Sequence, residues 1–251
     1  MKQVIAKVIS SHEVMPGAYL IWLEAPSIAS EARPGQFVMV NCGEDTLLPR
    51  PLSIHHRDGD KIALLSRVAG KGTQRLSEQK NGDSINLFGP LGNGFSLSPD
   101  SKNILLVAGG IGIAPLYYLA QEASKRGVSV TLLYGTPDKS RYPLPAEIKE
   151  IKATDDGSVG YHGLVTDLIP KHATQADQVF ACGPVGMYRA MAQMPELKNK
   201  PVQVSLEIGM ACGRGICYGC TIKTRQGLRR VCEDGPVFNL DDILWDELNT
   251  L

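Results

Sequence analysis

The chain has 251 residues, and its 26 Lys and Arg are balanced by 26 Asp and Glu, so no charge excess speaks for a nucleic acid or an anionic membrane as partner. Hydrophobic residues at 43% and charged residues at 21% exclude global disorder, and the length leaves room for two domains and an appendage. No run of about 18 apolar residues occurs and Met1 to Val4 begin no signal-peptide pattern, from which a cytoplasmic protein with reduced thiols is expected.

Residues 4–9, 18–23, 36–41, 61–68 and 83–88 are short runs rich in Val, Ile and Leu between turn residues. Strands at that spacing, without helix-length periods between them, predict an antiparallel barrel or sandwich over residues 1–99. Within it, Arg50, Pro51, Leu52 and Ser53 form a proline-stiffened segment. Arg67, Val68 and Ala69, followed by Gly72 and Thr73, offer positive charge, a hydroxyl and glycine. Taken alone, both segments read as ordinary turns. His55 and His56 read as a solvated pair, with no metal-ligand partner nearby.

After Asp100 the texture changes. Residues 103–108 are a continuous apolar strand, residues 115–126 a helical stretch ended by Gly127, and residues 128–134 a second buried strand. Further strand and helix candidates at 164–170, 178–182, 185–194 and 202–207 predict a parallel sheet covered by helices, in a domain drawn over residues 100–201. Gly109, Gly110 and Gly112 with Pro115 make a glycine-rich strand-to-helix turn, where a pyrophosphate can approach the backbone and a helix N-terminus. It departs from the G-x-G-x-x-G fingerprint, since Pro115 holds the last position. Cys182, Gly183 and Pro184 end another strand and face the same crevice if the sheet is open.

The tail, residues 202–251, holds the clearest signal. Cys212, Cys217 and Cys220 read C-x4-C-x2-C, with Cys232 beyond, the spacing of plant-type 2Fe–2S ligands with a shortened last gap. Glycines at 209, 213, 215 and 219 let a loop wrap tightly and turn N–H groups toward sulfur. A structural zinc site is the competing reading, although zinc ribbons pair two C-x2-C knuckles and this tail has one.

In this order the segments resemble the ferredoxin reductase-like flavoprotein superfamily, and within it the electron-transfer subunits of NAD-dependent dihydroorotate dehydrogenases. The resemblance implies that Arg50 and Ser53 of an R-x-x-S motif contact FAD, that Gly72 and Thr73 lie near its pyrophosphate, and that the 109–115 turn and Cys182 to Pro184 bind NAD. The segment Thr154 to Ser158 also resembles a family segment. Related subunits of sulfide dehydrogenase or transhydrogenase type carry Asp at the position of Cys212, so four thiolates speak against them. The implied fold is a β-barrel FAD domain, an α/β parallel-sheet nucleotide domain and a small C-terminal 2Fe–2S domain. The implied partner is an FMN-containing catalytic subunit that oxidises dihydroorotate in pyrimidine (UMP) biosynthesis, in a heterotetramer of two copies of each. Electrons would run from FMN through cluster and FAD to NAD+, with Ile216, Tyr218 and Met210 expected at the subunit interface. Two alternatives stay open: an NAD(P)H:acceptor reductase subunit serving another redox partner, and a zinc-stabilised binding module. Nucleotide choice also stays open in the residues themselves, because Asp138 suits a ribose hydroxyl whereas Lys139 and Arg141 suit a 2′-phosphate.

Overall fold

Inward and outward side chains alternate along β1 (Lys2–Met15), with Ala6 and Val8 buried and Ile5 and Lys7 exposed, as a strand with one face on a core requires. The computed structural model describes residues 1–43 and 46–248. After β1 come β2 (Ala18–Glu24), α1 (Pro26–Ala29), β3 (Phe37–Val40), β4 (Arg50–Asp58), β5 (Lys61–Arg67), α2 (Lys71–Ser77) and β6 (Ser84–Leu91). The strands close a six-stranded antiparallel barrel in the order β1-β2-β5-β4-β3-β6. Its interior is filled by branched side chains such as Val38, Val40, Ile54, Ile62 and Leu64.

Two expectations in this half are corrected. The Arg50 to Ser53 segment is not a turn: it begins β4, where Pro51 faces Met39 and Ser53 faces Phe37 across the β3 ladder. Two prolines and the polar pair after Ile54 hide its alternation in the sequence. His55 and His56 are not solvated either. The register shifts between Ile54 and His56, and His55 is fully buried, its Nδ1 donating to the Ala114 carbonyl at 2.9 Å and its ring stacked at 4.6 Å on Tyr117. His56 meets Tyr117 and Trp22 edge-on.

The second half contains β7 (Asn103–Gly109), α3 (Ile113–Lys125), β8 (Ser129–Thr136), β9 (Lys149–Thr154), β10 (Tyr161–His162), α4 (Ile169–Ala173), β11 (Gln178–Cys182), α5 (Val185–Ala192) and β12 (Val202–Ser205). They build a parallel sheet ordered β10-β9-β8-β7-β11-β12, in which every residue of β11 is buried. The tail adds a hairpin of β13 (Thr221–Thr224) and β14 (Gly227–Arg230), α6 (Val231–Asp234) and β15 (Val237–Asn239). β15 returns to pair antiparallel with β12 as the seventh strand of the sheet. Both β12 and β15 fall within the tail as drawn from sequence at residue 202, yet both belong to the sheet. What projects from the sheet is the segment between them.

Helix α3 is the seam. Ile113, Leu116 and Leu119 share a core with sheet residues Leu106 and Phe180 and barrel residues Leu20 and Leu65, and Tyr118 reaches the barrel core, its hydroxyl donating to the Ala32 carbonyl at 3.0 Å. Burial in this seam lowers the pKa of His55 from 6.5 to about 3, against the pull of its bond to Ala114 and with a smaller push from His56. The folded state therefore holds His55 neutral while the unfolded chain takes up a proton below pH 6.5, and stability falls as pH drops from there toward 3. The slope from one such group approaches about 1.4 kcal/mol per pH unit. We expect denaturant titrations of His55→Gln between pH 7 and pH 4 to show a shallower loss of stability than the unsubstituted protein. His56, lowered mainly by burial too, sustains part of the remainder.

Candidate functional site

β4, β5 and the start of α2 bring Pro51, Leu52, Ser53, Arg67, Ala69 and Thr73 around one cleft of about 370 Å³, completed by Phe37, Leu65, Ile111 and the tail residues Leu206, Ile208 and Met210. Its wall is largely apolar, and Ser66, which also borders it, has a buried hydroxyl with no hydrogen-bond partner among the described residues. Arg50 and Gly72 lie beside the cleft rather than in its lining; a side chain at Gly72 would press on the Arg50 guanidinium, 3.2 Å from Nε. Thr73 Oγ accepts the N–H groups of Ala69 at 2.8 Å and Gly70 at 3.2 Å and so fixes the turn into α2. Val68 stays outside the lining, its N–H held by the Gly17 carbonyl at 2.8 Å.

A second cleft of about 660 Å³ opens at the carboxyl ends of the parallel strands, lined by Gly109, Gly110, Gly183 and Pro184 together with Gly135, Thr136, Asp155, Val165 and Met187. Gly112, Pro115 and Cys182 do not line it. They shape it instead: α3 begins so close to β11 that a Cβ at Gly112 would be driven into the Cys182 carbonyl, and only glycine permits that approach. Pro115 is buried in the first turn of α3, and Cys182 lies fully buried beneath the 183–184 turn. Tyr188 on α5 pins that turn, accepting the Gly183 N–H at 2.8 Å and donating to the Ser205 carbonyl at 2.7 Å.

Arg67, Ile111 and Glu207 border both clefts. The Glu207 carboxylate opens to this junction but is enclosed by protein on its other sides, and that desolvation pushes its pKa up, opposed by the Cys182 thiol 3.9 Å away. Sequence reasoning missed Glu207 and Ser66 as lining residues, and placed Ile111 only within the 109–115 turn, not on the boundary with the barrel cleft. Only the position of Glu207 at the end of an apolar strand hinted at it.

Cys212, Cys217 and Cys220 lie in one loop packed on the barrel, and Cys232 reaches them from α6, beyond the β13–β14 hairpin. Gly213, at φ 64°, is pressed against Met39 and Leu91, and Arg214 stacks 4.0 Å over the Phe88 ring. Backbone N–H groups point at sulfur: Arg214 and Cys217 at Cys212 (3.3 and 3.5 Å), Gly215 at Cys232 (3.2 Å) and Cys232 at Cys220 (3.4 Å). Burial raises the Cys212 thiol, but those N–H groups, with that of Ile216 and the Cys217 side chain, bring it down to about 6. Cys232 is pushed up by burial and by the adjacent Cys220. The Cys217 side chain thus acts on Cys212 and the Cys220 side chain on Cys232, with a smaller push on Cys232 from Cys212. Among the described residues no three His, Cys, Asp or Glu side chains converge on one ion. Four thiols ringed by backbone N–H donors suit an anionic 2Fe–2S cluster, whose sulfurs accept such bonds.

A family profile described as the iron-sulfur cluster binding domain of dihydroorotate dehydrogenase B matches residues 207–244. In the NADH-dependent reduced ferredoxin-NADP oxidoreductase structure, one chain is 30% identical with a TM-score of 0.88, covering 98% of this chain and 91% of that one. The ferredoxin reductase in carbazole 1,9a-dioxygenase, at 18% identity, shares the fold with a TM-score of 0.70 over 81% of this chain and 68% of that one. Barrel, parallel sheet and cysteine loop thus make this an iron–sulfur member of the ferredoxin reductase-like flavoproteins. Proteins named dihydroorotate dehydrogenase B (NAD(+)), electron transfer subunit, are 41% identical in Desulforamulus reducens, over 96% of this chain and 98% of that one, and 41% identical in Clostridium acetobutylicum, over 94% and 95%. The chain belongs to that family of electron transfer subunits.

The Tyr188 hydroxyl serves two buried backbone groups, each costing roughly 1 kcal/mol or more when left unpaired. Tyr188→Phe is expected to lower stability by about 2 kcal/mol in urea unfolding and to accelerate amide exchange at Gly183.

Proposed function

We propose that this chain passes electrons from a dihydroorotate-oxidising partner, through a 2Fe–2S cluster and FAD, to NAD+ in pyrimidine biosynthesis. The observation that carries the reading is the wall shared by the two clefts at Arg67, Ile111 and Glu207, with Met210, two residues before Cys212, lining the barrel cleft. The three ligand positions are therefore neighbours in a row. Pro51, Leu52, Ser53, Arg67, Ala69 and Thr73 hold FAD, with Arg50 and Gly72 toward its phosphates and Val68 in the supporting backbone. Gly109, Gly110, Gly183 and Pro184 receive NAD, on a turn and floor built by Gly112, Pro115 and Cys182. Cys212, Cys217, Cys220 and Cys232 ligate the cluster.

Bound between the other two, a flavin exchanges electron pairs with nicotinamide and single electrons with the cluster. The protein's share is placement. Phe37, Leu65 and Ile111 keep the barrel cleft apolar, Arg67 brings a positive charge to the junction, and the N–H groups around the thiols favour their anionic form. Oxidation of dihydroorotate is assigned to a partner subunit carrying FMN, in a heterotetramer of two copies of each chain. A cytoplasmic location suits six cysteines that are all free. Among the described residues no helix is long and apolar enough to cross a membrane.

Part of the cluster loop faces outward. Ile216 is 72% and Tyr218 65% exposed, and Tyr218 holds φ 58°, an uncommon backbone state for an aromatic residue. Arg230 lies 5.1 Å over its ring. These two residues, with Leu228 on the neighbouring hairpin, form the partner contact. Met210, expected with them, is buried and lines the barrel cleft instead.

The purified complex should contain one FAD and two irons per copy of this chain; equal flavin and iron counts, or zinc in place of iron, would sink the assignment. Cys217→Ser should abolish the cluster's electron paramagnetic resonance signal while NADH still bleaches the flavin. Tyr218→Asp should weaken assembly with the FMN subunit and slow dihydroorotate-dependent NAD+ reduction, while NADH reduction of a dye persists. A fall in both activities with the complex intact would place Tyr218 on the internal route.

A further inference from the structure

The sheet cleft has two ends. At Arg67, Ile111 and Glu207 it opens into the barrel cleft, so a nicotinamide that meets a flavin lies there. The opposite end, walled by Gly135, Thr136, Pro137, Asp155, Val165 and Thr166, is left for the adenosine half. In dinucleotide sites on open α/β sheets, an acid accepts from the adenosine ribose hydroxyls, whereas a cation nearby accommodates a 2′-phosphate. The expected place for either is the loop after the second strand.

That loop is occupied with itself. Asp138, Lys139 and Arg141 follow β8, and none of them lines the cleft. The Asp138 carboxylate accepts the Ser140 N–H at 2.7 Å and its carbonyl accepts the Thr136 hydroxyl at 2.5 Å. Arg141 Nε donates to Glu150 Oε1 at 2.9 Å, with the pair 31% and 13% exposed, and Lys152 lies 3.6 Å from the other oxygen of the same carboxylate. Glu150 on β9 thus gathers two cations onto one carboxylate, away from the cleft.

The acid that does line the cleft comes from the next strand. Asp155 follows β9, and its N–H donates to the Thr136 carbonyl at 3.2 Å, which sets it beside the end of β8. Among the described residues its carboxylate has no hydrogen bond or ion pair. Its neighbour Asp156 is engaged, accepting the Ser158 N–H at 2.9 Å.

We infer that Asp155 reads the adenosine ribose from the end of β9, the third strand of the parallel sheet in chain order, and that Glu150, by holding Arg141, withholds the cation a 2′-phosphate would need, so that the two residues together select NAD(H) over NADP(H). A carboxylate accepts from a free 2′-hydroxyl but faces a 2′-phosphate with like charge and no donor. The inference rests on the nucleotide reading of the sheet cleft proposed above.

The test is calorimetric titration of the FAD- and cluster-loaded protein with ADP-ribose and with its 2′-phosphorylated form, probes that carry the adenosine half alone. Unsubstituted protein should prefer ADP-ribose. Asp155→Asn should bind it about tenfold more weakly, the worth of one hydrogen bond to a charged group, and bind the 2′-phosphorylated probe more tightly. Asp155→Glu should keep the preference. Adding Glu150→Gln to Asp155→Asn should strengthen the 2′-phosphorylated probe further by freeing Arg141, and kcat/KM with NADPH should rise in step. An unchanged preference in Asp155→Asn, or a shift produced by Asp138→Asn instead, would overturn the inference while leaving the cleft assignment standing. Unsubstituted protein that binds neither probe would overturn the cleft assignment itself.

Discussion

Burial of α3 between two sheets is the constraint on which the rest of the molecule depends. One helix serves the barrel and the parallel sheet at once, and two buried polar contacts, Tyr118 to Ala32 and His55 to Ala114, give that packing a single register. A purely apolar seam of this size would tolerate small slides at little cost, whereas a displaced hydroxyl or imidazole leaves a buried carbonyl without a donor. The helix also begins at the glycine-rich turn, so its seating on the barrel decides where that turn stands relative to β4 and β5.

From that seating follows the meeting of the two clefts. Ile111 precedes α3 and lines both, Arg67 ends β5 and lines both, and Glu207 leaves β12 to do the same. Three elements from different parts of the chain thus converge on one boundary, and the convergence is set by strand ends rather than by long loops. The cysteine loop is held to the outer barrel by Gly213 against Met39 and Arg214 over Phe88. Its thiols therefore share a rigid support with the cleft at Met39's neighbour Phe37.

Much of this was legible in the sequence because periodicity and cysteine spacing are local. The period-two runs marked most barrel strands, the apolar run before Gly109 marked β7, and C-x4-C-x2-C marked the loop. What stayed hidden is what depends on contacts between distant segments. β4 was concealed by prolines that a strand accepts where no ladder N–H is needed, and the histidine pair looked solvated because the aromatic seam that buries it is contributed mostly by α3, far along the chain. The run at 202–207 marked β12, but β15 could not be assigned to the sheet from its own three residues, since its place comes only from pairing with β12. Glu207 and Ser66 carry no motif. Their place follows from two clefts that exist only after the domains have closed.

The return of β15 to β12 has a consequence for how the cysteine segment is attached. A tail is joined at one point and pivots about it, but this segment leaves the sheet after β12 and re-enters it at β15, so it is tethered at two adjacent points of one ladder. It is topologically an insertion. Motion of the thiols relative to the barrel would have to strain that ladder or peel the loop from Met39 and Phe88, which leaves hinge motion no soft axis. The separation between thiols and barrel cleft is thereby built in as a fixed length, the property that transfer of single electrons, steeply dependent on distance, most requires.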